Sequence, residues 1–298
     1  MEYKEFLEAV KDKLQNRFGK GADIRVEQVF KNNGIVLDAL IIREFGKRIS
    51  PCIYLDGIYR SYSVGDMDLD TVEDYILGMY KEKNLDIHFD VEEFSDFEKI
   101  KNNLQGRMVN TELNHELLEK IPHREFLDLS IIYCVDVRGL GEHNASVKIN
   151  NQHMKAWNVQ ESDLFEQMII NMEKDEGYLA TISDVIREYL APENAETFQM
   201  ADQEMMYILS NKEKAFGSIK ILDQQLLKKA ASILGRNFYL LPSSVHESIL
   251  VKEDDDTNPN ELAEMVAEVN EIAVEAEDIL SYHVYRYDSL TGTLTIAA

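Results

Sequence analysis

Cysteine, proline and tryptophan are scarce in this chain of 298 residues, which has two, five and one of them. Two cysteines cannot build the disulfide framework that small secreted domains need. Cys52 and Cys134 both sit in apolar, strand-like runs, and we expect them as reduced thiols in a packed interior. Five prolines and 14 glycines exclude long Pro- or Gly-rich linkers. No stretch approaches the ~18 consecutive apolar residues that a membrane span requires. The opening residues, MEYKEFLEAVKDKL, lack a basic leader followed by an apolar run. The expectation is a cytoplasmic protein without a membrane segment.

Basic residues are also in short supply. Thirty-one of them face 55 acidic ones, for a net charge of −24. A broad acidic surface repels phosphate backbones and anionic lipid, so direct nucleic-acid binding is not expected. The imbalance is strongest from Val251 to Ala298, with 12 acidic residues and 2 basic ones. Apolar residues, at 45%, are plentiful enough to offset the entropy of ordering the chain.

Apolar spacing then places the elements. Phe6, Leu7, Val10, Leu14 and Phe18 recur with helical period. Ile24, Val26 and Val29, then Ile35, Leu37, Leu40 and Ile42, flank Asn33-Gly34, a strong hairpin signal. SPCIYL adds a third strand. MDLDTVEDYILGMYKEK is a helix in which Asp70 and Glu73 have capping-box spacing. Residues 92–121 read mainly as helical around a short strand, GRMVN. FLDLSIIYCVDV is a buried strand, and ASVKI pairs with it.

Further on, VQESDLFEQMIINMEKD is a helix with Leu164, Met168 and Met172 on one face, and ISDVIREYL is another. EMMYILS is a strand, and GSIKIL reads as the start of one more. DQQLLKKAASILG is a helix closed by Gly235. NFYLL is a strand, PNELAEMVAEVNEIA a helix, and SYHVYRYD with TLTIAA a closing hairpin. Hairpins and helices are mixed without repeats, which predicts an α+β fold of mixed or antiparallel sheets. We expect a small unit over residues 1–90 and a larger one over 91–298, or one continuous family domain.

The chemistry-bearing stretches are few. NFYLLPSSVHESIL holds Ser243, Ser244, His246 and Glu247. A serine nucleophile needs a base, an orienting group and an oxyanion hole, and Gly-x-Ser-x-Gly is absent. Ser244 to Glu247 fits S-x-x-E. The favoured expectation is therefore a helix start, with Ser244 capping and Glu247 returning to its amide. KIPHREFLDLS holds a second polar group: His123, Arg124, Glu125 and Asp128. We expect an ion-pair network there, with Arg124 meeting Glu125 or Asp128.

Other candidates are weaker. His115 and Glu119 share a helical face, but two ligands do not make a metal site. His246-Glu247 opens like a zincin motif without the second histidine. Gly139 and Gly141 lack a third glycine, and no phosphate loop is present. Neither a metal nor a cofactor is expected. Asn144-Ala145-Ser146 matches a glycosylation sequon that has no meaning without secretion. Trp157 reads as a packing anchor. The methionines at 168, 172, 205 and 206 fit core stripes.

KNNGIVLDALIIRE, ISPCIYL, MVNTELN, IPHREFLDLSIIYCV, FYLLPSSVHESIL and LSYHVYRYD run in order from residue 31 to 288. In these stretches the chain resembles DUF5688, an uncharacterised bacterial family common in gut-dwelling anaerobic Firmicutes. The resemblance implies a bacterial cytoplasmic protein and a single family unit. It implies no catalytic residue and transfers no activity.

Three functional readings follow. The first is a non-enzymatic binding or regulatory protein that docks a basic partner protein through an acidic surface around residues 251–278. The second is a small-substrate hydrolase, with Ser243 or Ser244 as nucleophile and His246 or His123 as base. Glu125, Asp128 or Glu247 would orient that base. The third is an acidic mimic of a nucleic acid. The oligomeric state is open at this stage.

Overall fold

The computed structural model describes residues 1–46, 50–83, 91–136, 146–189 and 206–298. Gly139, Gly141, Asn144 and Met205, singled out above, lie outside the described residues. The chain divides into two compact units. The first comprises Met1–Phe94 and Val137–Ser146, the second Ser95–Asp136 and Val147–Ala298. The architecture is α+β, built on antiparallel sheets with packed helices.

The first unit sets α1 (Tyr3–Phe18) against a sheet of β1 (Ala22–Phe30), β2 (Val36–Glu44) and β3 (Cys52–Tyr54), in that order. The Asn33-Gly34 turn fixes a register in which Ile24 opposes Ile42 and Val26 opposes Leu40. One sheet face is thereby apolar. It packs with Phe6, Val10 and Leu14 of α1 and with Val72, Ile76 and Tyr80 of α3 (Leu69–Lys83). Each such fully buried side chain stabilises the fold by about 1.5–3 kcal/mol.

The sequence spacing missed two details of this unit. A short helix, α2 (Asp56–Ser63), precedes α3. The cap of α3 is Asp68, not the Asp70–Glu73 pair. The Asp68 carboxylate accepts from the Thr71 amide at 2.8 Å and from its hydroxyl at 2.7 Å. Asp70 and Glu73 instead meet Lys13 of α1, at 2.6 and 3.0 Å.

The first unit ends its long segment with the one-turn helix α4 (Val91–Phe94), and the second opens with one-turn α5 (Phe97–Ile100). Strand β4 (Leu104–Asn110) follows, then one-turn α6 (His115–Leu118), β5 (His123–Phe126) and β6 (Leu129–Asp136). Residues 92–121 are thus less helical than the spacing predicts. β6 can pair along all seven residues of β4, so it draws the whole of 104–110 into the sheet. β6 is central, between β4 and β5, and β7 (Ser146–Lys148) also pairs with it. Its run from Leu129 to Val135 is buried, as its apolar sequence requires.

A six-stranded sheet makes up the rest. Its order is β13-β12-β10-β11-β9-β8, with β8 at Tyr178–Thr181, β9 at Met206–Ser210 and β10 at Phe238–Leu241. β11 is Ser248–Lys252, β12 Tyr285–Asp288 and β13 Thr293–Ile296. The helices around these strands are α7 (Asn151–Trp157), α8 (Glu161–Met172) and α9 (Ile182–Tyr189), followed by Gln224–Leu234, here α10, and Pro259–Ile272, here α11. Asp223 caps α10 by accepting from the Leu226 amide at 3.0 Å. Gly235 closes it in the left-handed region, φ 93°. Asn258 caps α11, with Pro259 in its first turn.

α11 covers one face of the sheet, where Leu262 and Val266 meet Tyr239, Leu241, Val251 and Val284. GSIKIL is not a strand. It forms a 3-10 turn, Gly217–Leu222, and its Lys220 is 1% exposed.

Candidate functional site

No helix begins at Ser244. Residues 242–248 run from β10 into β11 as an extended, laced segment, and the backbone shows why. On one side it pairs with residues 278–281. The Ser281 amide donates to Pro242, the Leu280 amide to Ser243, and the Val245 amide to Asp278, each at 2.9 Å. On the other side lies the 3-10 turn. Gly217 donates to the His246 carbonyl at 2.9 Å and Ser218 to the Val245 carbonyl at 3.3 Å. The Ser218 hydroxyl takes the Ser244 carbonyl at 2.6 Å, and the Ser210 hydroxyl shares that of His246 at 2.7 Å. Every carbonyl from 242 to 246 therefore has a tertiary donor. A buried backbone must be satisfied somewhere, and here distant donors outcompete the helix.

The expected capping box survives only in part. The Ser244 hydroxyl accepts a backbone amide, but from His246, two residues on, at 3.0 Å. This is a local serine turn rather than a helix cap. Ser243 and Ser244 are buried, each 7% exposed.

His246 has both ring nitrogens engaged. The Phe216 amide donates to Nδ1 at 3.2 Å, and Nε2 lies 3.3 Å from the Asp278 carboxylate. Nδ1 is thus an acceptor, and the neutral ring carries its proton on Nε2, directed at Asp278. The Phe216 ring rests against His246 at 5.3 Å and carries the Arg107 guanidinium 3.6 Å from its centre. Glu247 is half-buried beside this pair. Burial pushes its carboxyl up, Asp278 adds to the rise, and His246 and Lys214 oppose it.

Proton abstraction from a serine needs a free imidazole lone pair. The lone pair of His246 is taken by the Phe216 amide, and the Ser244 hydroxyl meets the backbone rather than the ring. The arrangement fixes a loop. It brings Ser244, His246 and Glu247 together with Asp278, Phe216 and Lys214, which the sequence reading left out.

The second polar group lies elsewhere. His123 pairs with Ile132 across β5 and β6, and its Nδ1 lies 3.1 Å from the Ile121 carbonyl. No described hydrogen bond joins it to Ser243 or Ser244. Arg124 does not meet Glu125 or Asp128. It forks onto Glu161, at 3.1 Å from Nε and 2.8 Å from an Nη, and lies 3.8 Å over the Phe165 ring. The Tyr133 hydroxyl donates to the same carboxylate, and burial with this contact pushes its pKa up. Glu161 opens α8, where a negative charge also suits the helix dipole. Glu125 is exposed. Asp128 accepts from the Ser281 hydroxyl at 2.7 Å and from the Tyr285 hydroxyl. The pairing expected within residues 123–128 does not form, and Arg124 and Asp128 each meet partners remote in the chain.

The remaining candidates are structural or peripheral. Trp157 packs on Phe97 at 5.8 Å and His153 at 5.5 Å. His115 and Glu119 are exposed, and the His115 Nδ1 meets the Glu112 carbonyl at 3.1 Å. Among the described residues no three His, Cys, Asp or Glu side chains gather as metal ligands. Cys52 is half-buried and Cys134 buried, and the two are not joined to each other. No described helix is long and apolar enough to cross a membrane. In the first unit a cavity of about 710 Å³ is lined by Lys20, Arg25 and Arg43 with Asp23, Glu44 and Phe45. Asp23 already pairs with Arg25 at 2.7 Å.

The α11 region is the most distinctive surface. From Glu253 to Asp278 there are eleven acidic residues and no lysine or arginine. Beside its buried stripe, α11 carries a second apolar row: Met265, Val269 and Ile272, exposed by 42%, 37% and 85%. The i, i+4, i+7 spacing puts all three on one side. Glu261 and Glu268 lie one turn before Met265 and Ile272, and Glu264 and Glu271 continue the acidic side. This exposed row was readable in the sequence as apolar residues beyond those needed for one buried stripe.

No curated protein and no solved structure matches the chain. A family model does, over residues 3–289. The chain belongs to DUF5688, a family of unknown function.

Proposed function

We propose that this is a cytoplasmic, non-enzymatic binding or regulatory protein that docks a basic partner protein through the acidic region around residues 251–278. One observation carries the reading: the stretch from Glu253 to Asp278, free of lysine and arginine, includes α11, whose Glu261, Glu264, Glu268 and Glu271 are all exposed. Unneutralised carboxylates at this density raise the local cation concentration and steer a positive partner. The engaged lone pair of His246 weighs against the hydrolase alternative.

The test is affinity capture by the tagged full chain from an extract of its native cells, at low and high salt. A partner that is lost at high salt, and lost by Glu261→Lys, Glu264→Lys and Glu268→Lys together, supports the reading. Capture indifferent to both overturns it. DNA competing for that partner would point to the nucleic-acid mimic instead.

A further inference from the structure

We infer that the occupant of the acidic surface is an amphipathic basic helix, lying along α11 with its apolar side on Met265, Val269 and Ile272. The inference rests on the docking reading above and adds the partner's form. Helix α11 has 14 residues, and its buried contacts come from Leu262, Val266 and Asn270. Stepping about 100° per residue places Met265 and Val269 directly beside Leu262 and Val266 on the wheel, with Ile272 next in the same row. The apolar arc is therefore wider than the sheet covers. An exposed apolar row on a helix already docked by another face marks a second contact surface.

Charge selects the occupant. The row is bordered by Glu261, Glu264 and Glu268, and α11 has no basic residue. No described ion pair engages Glu264, Glu268 or Glu271. Anionic lipid is repelled by this border. A second copy of the chain would bring two acidic borders together with nothing on either helix to offset them. A helix with apolar residues at i, i+3 or i+4 and i+7, and lysine or arginine on the flank, satisfies both features at once. The length matches as well, since 14 residues extend about 21 Å and three to four turns of a partner would cover them.

The probe is a synthetic leucine-lysine peptide with leucines at that spacing. Its binding to the full chain is read by fluorescence anisotropy and compared with a scrambled peptide of the same composition. Two double variants separate the contributions: Met265→Ser with Ile272→Ser, and Glu264→Lys with Glu268→Lys. All four positions are exposed, so the fold survives either pair. We expect the ordered peptide to bind more tightly than the scrambled one, and each double variant to weaken it about tenfold or more, the equivalent of 1.4 kcal/mol.

Equal binding of both peptides, lost only by the glutamate variant, overturns the helical occupant and leaves the acidic docking reading standing. Binding that ignores the glutamate variant, or no binding even at low salt, overturns the docking reading itself. Sedimentation showing a wild-type dimer that the serine variant dissolves would assign the row to a second copy, against this inference. Binding to neutral phosphatidylcholine vesicles, abolished by the serine variant, would also count against it.

Discussion

The Nζ of Lys220 lies 2.9 Å from the carbonyl oxygen of Met172, the last residue of α8. The same ammonium reaches the Asp175 carbonyl at 2.7 Å and the Asp223 carboxylate at 3.4 Å. A lysine that is 1% exposed is costly to bury unless its three donors are met, and here they are. Its charge also sits at the C-terminus of α8, where the helix dipole favours a cation. Lys220 thereby ties the 3-10 turn to two helices. Lys220→Met keeps the volume and leaves Asp223 facing the gap. It should lower unfolding stability by about 3 kcal/mol. Urea denaturation of the variant measures this, and a change below about 0.5 kcal/mol would show that the buried charge is dispensable.

Gly217 is the point where the 3-10 turn touches the 242–248 segment. A Cβ added there would stand 2.0 Å from the Ser210 Oγ, 2.5 Å from the Asn211 nitrogen and 2.7 Å from the His246 carbonyl oxygen. Two of these are backbone atoms and cannot rotate away. Gly217→Ala should destabilise the protein by about 2–4 kcal/mol through overpacking and loss of the 217–246 hydrogen bond. Thermal melting checks it. A melting temperature matching the wild type would mean that the segment shifts at no cost.

Glu247 makes stability depend on pH. Burial raises its folded-state pKa above the ordinary glutamate value. The folded chain therefore holds the proton more strongly than the unfolded chain. That contribution is fully present below the unfolded pKa and is lost as pH rises through the folded one. Glu247→Gln removes the loss. The variant should match the wild type in acid and gain on it steadily toward neutral pH. Denaturation of both proteins across that range gives the comparison. A difference constant with pH would place the carboxyl in bulk-like solvent.

Local signals carried most of the fold. The alternation in β1 and β2 around Asn33-Gly34, the Leu164–Met168–Met172 stripe and the Gly235 cap each depend on neighbours within a few residues, so spacing alone specifies them. Residues 242–248 escaped for the opposite reason. S-x-x-E describes a helix start equally well, but the competing donors at 217–218 and 278–281 are set by tertiary structure. Arg124 is similar. Its carboxylate partner, Glu161, lies 37 residues away, while the sequence offered Glu125 and Asp128 close by. In β4 the spacing marked only Gly106–Asn110 as strand, and pairing with β6 extends it back through Gln105 to Leu104. At the candidate site, the serines, His246 and Glu247 were visible as residue types. Asp278 and Phe216 were not, because nothing local links them to position 246.

Hydrogen exchange on the full chain, with and without the leucine-lysine peptide, tests the docking account most directly. The account predicts slowed amide exchange across residues 259–272, present at low salt and absent at high salt. Protection confined to other segments, or unchanged exchange in α11 when the peptide is bound, would contradict it.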